Sequence, residues 1–146
     1  MLEIFTAGVA NNITGEGACS LVIYRDGTPV RQDDEPVELS CRYTKTTNMR
    51  MLLVAIHSAA LCALHEETTI YTPNGWAADL SAGVAQARKN TRQGTATPND
   101  VIWLLIHALM RTRSAPCHIV HRDVALEPGM KRARTLARNT LAGGIE

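Results

Sequence analysis

A net charge of either sign is the first thing missing. Lys and Arg number 15 and Asp and Glu 14, a formal charge of +1 over 146 residues. A chain this balanced has no global field for a polyanion, so any basic patch must be local. Paired cysteine motifs are missing as well. Cys19, Cys41, Cys62 and Cys117 stand far apart, and none falls in a CxxC or CxxH pair, which argues against a zinc site. Each lies in an apolar stretch, where a free cysteine acts as a small buried hydrophobe; a reducing, cytoplasmic setting is the default expectation. Long apolar runs are absent too. The longest, Val101 to Met110, is interrupted by His107 and falls far short of the ~18–20 residues that span a bilayer. No basic region followed by an apolar core opens the chain, so no signal peptide is expected. There is no internal repeat. Residues 1–146 read as a single domain with one core, in keeping with 45% hydrophobic and 20% charged residues.

What is present alternates between strand-like and helix-like stretches. Leu2 to Thr6 reads as a strand, and Gly8 to Gly17, rich in Asn, Thr and Gly, as a loop. Ala18 to Arg25 is a second strand, ended by the hairpin dipeptide Asp26-Gly27. Thr28 to Pro36 is a polar connection whose Asp33-Asp34-Glu35 run reads as a solvated face. Val37 to Thr44 is a third strand. A long helix is expected from Met49 to Glu66, capped by Thr46, Thr47 or Asn48. Thr68 to Thr72 is a fourth strand, and Asn74 to Lys89 a helix broken at Gly83. Pro98 to Arg111 is a helix with proline in its first turn. Pro116 to His121 is a fifth strand. Pro128 to Leu141 is a basic last helix, closed by Gly143-Gly144. Three antiparallel strands followed by alternating helices and strands predict an α/β fold, a five-stranded mixed sheet flanked by helices.

Five strings in this order resemble type 1 ribonuclease H over nearly the whole chain. Glu3-Ile4-Phe5-Thr6-Ala7-Gly8 is similar to the family's first strand, which ends T-D-G. Thr46-Thr47-Asn48-Met49-Arg50-Met51-Leu52 resembles T-N-N-R-M-E, and Thr72-Pro73-Asn74 resembles T-D-S. Asn99-Asp100-Val101-Ile102-Trp103 resembles N-x-D-L-W, and Ala133-Arg134-Thr135-Leu136-Ala137-Arg138 resembles the final A/C-D-x-L-A-R. The resemblance implies a ribonuclease H-like fold. In that family four carboxylates hold two Mg²⁺ ions.

The departures fall on those carboxylates. Ala7, Leu52, Pro73 and Arg134 stand at the four places, and Val124 stands where the family has a mobile histidine. Two divalent ions ~4 Å apart need concentrated negative charge. Three of these side chains offer no ligand, and the fourth brings a permanent positive charge. The expectation is therefore a pseudoenzyme with no metal and no cofactor. Asp123 and Glu127 are the best candidates for a rebuilt site, but two carboxylates on one loop serve a two-metal site poorly.

The resemblance also implies nucleic-acid contacts. Thr47 matches a phosphate-binding threonine, and Asn48 the first of two asparagines that read the minor groove, with Met49 in place of the second. Thr47 and Asn48 are equally natural helix caps. In the loop after the first strand, Ile13 stands where the family has an asparagine. Arg88, Lys89 and Arg92 remain from the family's basic protrusion, with Trp76 nearby. Arg134 and Arg138, four apart, share a helix face, and with Lys131, Arg132, Arg113 and Arg122 they are expected to form a local positive patch. The first expectation is binding of an RNA/DNA hybrid or duplex, by phosphate and shape, without cleavage. The alternative is a protein-interaction or dimerising scaffold, using the nearly all-apolar Val101–Met110 helix; a nuclease with a relocated site is the distant third. His57, His65, His107, His118 and His121 have no zinc spacing and are expected to be structural. Trp76 and Trp103 are expected in the core or facing a partner.

Overall fold

The computed structural model describes residues 1–62 and 64–143. In chain order the strands are β1 (Leu2–Ala10), β2 (Gly17–Arg25), β3 (Thr28–Pro29), β4 (Arg31–Gln32), β5 (Glu35–Pro36), β6 (Glu38–Tyr43), β7 (Thr68–Thr72) and β8 (Cys117–His121). The helices are α1 (Asn48–Cys62), α2 (Gly75–Ala78), α3 (Leu80–Arg92), α4 (Pro98–Thr112) and α5 (Pro128–Gly143), with one 3₁₀ turn at Val124–Leu126. The main sheet runs β3-β2-β1-β7-β8, and β6 also pairs with β2. β3 meets Tyr24 and Arg25, while β6 meets Val22 to Gly17. The two share the place of one strand, so the expected five-stranded mixed sheet is present with its third strand interrupted. β1 runs antiparallel to β2 and parallel to β7, and β7 runs parallel to β8.

Both faces of this sheet are covered. On one, Leu2, Ile4, Leu21 and Ile70 pack with α1 and with Trp103 and Ile106 of α4. On the other, Phe5, Ala7, Val22 and Tyr71 pack with Met130, Ala133 and Ala137 of α5. A strand buried on both sides needs carbon at nearly every position, which explains the almost unbroken apolar run of β1. Gly8 lets α1 approach this strand: a Cβ there would lie 2.6 Å from the Leu52 main-chain nitrogen.

Several boundaries differ from the sequence expectation. β1 continues to Ala10, because Ala7 to Ala10 keep pairing with Ser20 to Gly17, and the Asn48 side chain accepts the Ala10 N–H at 2.5 Å. Asp26 and Gly27 both take positive φ, 50° and 82°, as a two-residue hairpin turn requires. Asp33 and Asp34, at 54° and 63°, do the same between β4 and β5, so this acidic run is a second tight turn as well as an exposed one. α1 ends at Cys62 and not at Glu66. Residue 63 lies outside the described residues. Arg113 holds the exit, donating to the carbonyls of Ala60 at 3.1 Å and Glu66 at 2.7 Å and to the Thr68 hydroxyl at 3.1 Å. The 74–89 helix breaks at Asp79, which caps α3 by accepting the Ala82 N–H at 3.1 Å. Gly83 sits inside α3, where a Cβ would lie 2.4 Å from the Trp103 indole. Gly144 of the expected C-terminal stop lies outside the described residues. Of the four cysteines only Cys19 is buried. Cys41 on a sheet edge and Cys62 in the last turn of α1 are exposed, and Cys117 is half-buried. No helix of the described residues is long and apolar enough to cross a membrane.

Candidate nucleic-acid interface

The start of α1 is tied to three neighbours. Thr47 caps the helix, its hydroxyl accepting the Arg50 N–H at 3.2 Å. Asn48 spends its side-chain oxygen on Ala10, so its amide N–H groups remain for other partners. The Thr46 N–H donates to the Gly15 carbonyl at 2.8 Å, docking the β1–β2 loop beside the helix. That loop holds its shape through Asn11, whose side-chain oxygen accepts the N–H groups of Ile13 and Thr14. Ile13 points fully outward, 95% exposed.

Arg50 joins this assembly, and the sequence reading assigned it no role. Its Nε donates to the Asn99 side-chain oxygen at 3.1 Å and its Nη1 to the Lys45 carbonyl at 3.3 Å. Asn99 itself opens α4, whose N-terminus is fixed by a capping box between Thr97 and Asp100. Asp100 is buried; burial works to raise its carboxyl, yet hydrogen bonds from Thr97 and Asn90 outweigh this and hold it below the ordinary range. Arg50 thus ties Thr47, Asn99 and the Lys45 carbonyl together, and Asn48 stands beside them in the first turn of α1. Asn99 also lines a neighbouring cavity of about 450 Å³, walled by Trp76 and Trp103 in a T-shaped contact at 5.2 Å. Trp103 is core, as expected; Trp76 is 42% exposed. Arg50 and Asn99 lie inside strings that carried the family resemblance, which was the one signal available for them.

Of the positions that the sequence resemblance aligned with carboxylates, Ala7, Leu52 and Pro73 carry only carbon side chains. Ala7 is buried in the α5-side cluster with Phe5 and Ala133, and Leu52 is buried on the α1 side. Pro73 follows β7 directly and is half-buried. Ser20, the strand partner of Ala7, donates its hydroxyl to the Ala133 carbonyl at 2.5 Å. Arg134, the next residue, is therefore carried on the turn of α5 that crosses the sheet at Ala7, and it is exposed. Val124 sits half-buried in the 3₁₀ turn against the same cluster. Asp123 caps this turn by accepting the Ala125 N–H at 2.9 Å, and Glu127 faces Arg122 at 3.8 Å. Among the described residues no three His, Cys, Asp or Glu side chains come together as a metal-ligand group.

The basic residues expected in one patch divide. Arg134 and Arg138 are exposed on α5. Arg132 is taken by Glu38, through two bonds of 2.7 Å. Arg122 lies over the Tyr71 ring, 5.2 Å from its centroid, and the Tyr71 hydroxyl donates to Glu3. Arg113 belongs to the opposite end of the sheet, at the α1 exit, and leaves the patch. Arg88, Lys89 and Arg92 are exposed on α3, in the layer on the far side of the sheet from α5, and Arg88 contacts His107 at 3.1 Å. Burial lowers the His57 imidazole below its ordinary range.

The sheet order, the interrupted third strand and the helix on each face define a ribonuclease H-like fold. Solved structures share it, among them the following three. The N-terminal RNase H domain of a Mycobacterium tuberculosis protein, solved as a fusion with maltose-binding protein, gives a TM-score of 0.64 at 14% identity, over 97% of this chain and 94% of that one. LC11-RNase H1, crystallised with an RNA/DNA hybrid, gives 0.67 at 16% identity over 100% of both chains. The prototype foamy virus protease–reverse transcriptase gives 0.72 at 15% identity, covering 97% of this chain and 21% of that one. No protein-family profile matches the sequence, and no curated protein sequence matches it.

Proposed function

We propose that this protein binds a nucleic-acid duplex, with an RNA/DNA hybrid as the leading ligand, and leaves it uncut. The observation that carries the reading is the start of α1, where hydrogen bonds tie Thr47, Arg50 and Asn99 to one another and Asn48 to Ala10 of β1. Preorganised donors of this kind suit phosphate oxygens, which set register on a duplex without reading sequence. LC11-RNase H1 of the same fold takes a hybrid, which supports the choice of ligand.

The absence of cutting rests on donor chemistry. Two Mg²⁺ ions do not fit side chains of alanine, leucine and proline with a guanidinium beside them. Asp123 and Glu127 are engaged with Ala125 and Arg122, which leaves them poor substitutes. Arg134 and Arg138, both exposed on α5, add positive charge on the other face of the sheet, a second place for backbone phosphate.

Fluorescence anisotropy with labelled hybrid, double-stranded and single-stranded nucleic acids tests binding, and denaturing gels of the same mixtures with and without Mg²⁺ test cleavage. Hybrid binding with an intact RNA strand is expected. Magnesium-dependent shortening of that strand would falsify the non-cleaving half, and affinity no better than the ~10⁻⁴ M of weak non-specific binding defeats the other half. An Arg134→Glu, Arg138→Glu double variant is expected to lose binding and to lower the salt slope by roughly 2, one phosphate contact per arginine.

A second reading has its own observation. Val101 and Leu105, one turn apart on α4, are 52% and 48% exposed, an apolar stripe on an otherwise well-packed helix. Light scattering on size-exclusion fractions tests it: self-association that a Val101→Lys, Leu105→Lys variant abolishes supports a scaffold, and a stripe-independent monomer removes it.

A further inference from the structure

Cys19 and Cys41 are direct cross-strand partners. They stand opposite each other in the β2–β6 ladder, so their side chains leave the sheet on the same face. Residues so paired have Cα atoms ~4.5–5.5 Å apart, inside the ~4.4–6.8 Å window that a disulfide spans. Both cysteines line one small cavity of about 120 Å³ with Leu21, Leu39 and Ser58. Their accessibility is opposite: Cys19 is 5% exposed, whereas Cys41 is exposed on an edge strand. Tyr43, two residues along β6 from Cys41, shares this face, and its hydroxyl is held up by burial first and then by both thiols.

We propose that Cys19 and Cys41 form a redox site that reacts with low-molecular-weight disulfides such as oxidised glutathione and closes into a cross-strand disulfide. In the first step the Cys41 thiolate attacks one sulfur of oxidised glutathione. A Cys41–glutathione bond forms, and one glutathione leaves as thiolate. In the second step Cys19 loses its proton to solvent and attacks the Cys41 sulfur, and the second glutathione leaves. The two protein thiols are oxidised by two electrons, one oxidised glutathione is reduced to two glutathiones, and every sulfur is accounted for. The second step is the slower one. Burial is the larger cause that raises the Cys19 thiol, and it persists in the Cys41 adduct, so the Cys19 thiolate is scarce.

The bond staples an edge strand that also carries α5. Glu38 on β6 holds Arg132, and Ser40 on β6 is hydrogen-bonded to Thr140. Oxidation therefore fixes the footing of α5 as well as the sheet edge.

The experiment uses the full chain with Cys62→Ser and Cys117→Ser, which leaves only the pair; serine at 62 keeps a donor for the Ser58 carbonyl that the thiol now reaches. After incubation with oxidised glutathione, intact mass should fall by two hydrogens, and neither thiol should alkylate after unfolding. The melting temperature should rise on the order of 10 °C and return with reductant. Adding Cys19→Ser should instead trap a stable glutathione adduct on Cys41 with no such rise. Peptide mapping of the oxidised unsubstituted chain keeps the test open if the serine variants fold badly; it should yield a Cys19–Cys41 cross-link. A lasting glutathione adduct on Cys41 with Cys19 still free, or cross-links only to Cys62 or Cys117, overturns the proposal.

Discussion

Ser20 of β2 donates its hydroxyl to the main-chain carbonyl of Ala133 in α5 at 2.5 Å, a buried bond that seats the last helix across the middle of the sheet. Ser20 is also the strand partner of Ala7, so the bond crosses directly beside that residue. Removing one partner of a buried hydrogen bond costs about 1–2 kcal/mol. Ser20→Ala should show that loss in urea denaturation. Amides of α5 should also exchange faster than those of α1, which has no part in the bond.

Ala7→Asp probes the same place from the other side. Phe5, Val22, Met130 and Ala133 surround position 7, so a carboxylate there is buried without a donor. The expected loss is about 3 kcal/mol or more at neutral pH. The sign of its pH dependence follows from desolvation, which raises the folded-state value above the unfolded ~3.9. The folded state then binds more protons between the two values, so stability falls as pH rises through that window and the penalty is smallest below ~4. A penalty equal at acid and neutral pH would mean that position 7 is solvated.

Thr6 and Thr72 make a matched pair of buried hydroxyls with opposite expectations. Thr6 donates to the Tyr71 carbonyl at 2.7 Å, whereas the Thr72 hydroxyl has no partner among the described residues. Replacing each with valine keeps the shape. Thr6→Val should lose about 1 kcal/mol, and Thr72→Val should gain up to about 1 kcal/mol, because it removes a desolvated group that bonds nothing. Chemical denaturation of the two variants in parallel reads the difference directly.

The parts of this fold that were legible in the sequence are those whose cause is local. Asp26-Gly27 announced its turn because both residues tolerate positive φ. Asp33-Asp34 makes the same kind of turn, but two adjacent acids read equally well as a solvated loop. The break at Asp79 was placed at Gly83, since glycine marks a helix break in a sequence; in the fold that glycine makes room for Trp103. What no local pattern carries is the partner of a long side chain. Arg132 and Arg134 look alike in sequence, yet Glu38 reaches one of them from 94 positions away. Arg113 read as a surface cation and instead holds three acceptors at the α1 exit. The candidate site was visible through Thr47 and Asn48, while Arg50 and Asn99 joined it only through tertiary contact.

Arg132 and Glu38 give a pH-dependent prediction. The Arg132 hydrogen bonds hold the Glu38 carboxyl below its ordinary 4.5, with the charge attraction adding to them against a burial effect that opposes. A depressed folded value means that the pair stabilises the fold above the unfolded value, and that this is lost as pH falls through the folded one. Arg132 is 47% exposed, so solvent screening limits the contribution to below about 1 kcal/mol. Arg132→Gln should therefore be slightly less stable than the parent at pH 7, and the gap should close on acidification below 4.5.

Arg50 decides whether the start of α1 is a contact surface or only a well-capped helix. Its guanidinium bonds both Asn99 and the Lys45 carbonyl, so alanine there removes a charge and releases Asn99 together. If phosphate sits against this surface, Arg50→Ala should weaken duplex binding about tenfold, whatever the sequence, and lower the salt slope by about 1. Arg50→Lys retains the charge but has no planar fork to reach two acceptors at once. Its salt slope should stay near that of the parent while its affinity falls to an intermediate value. That split separates charge from geometry, which a purely structural role cannot do: a destabilised helix would lower the amount of competent protein in both variants and leave the salt slope of the remainder unchanged.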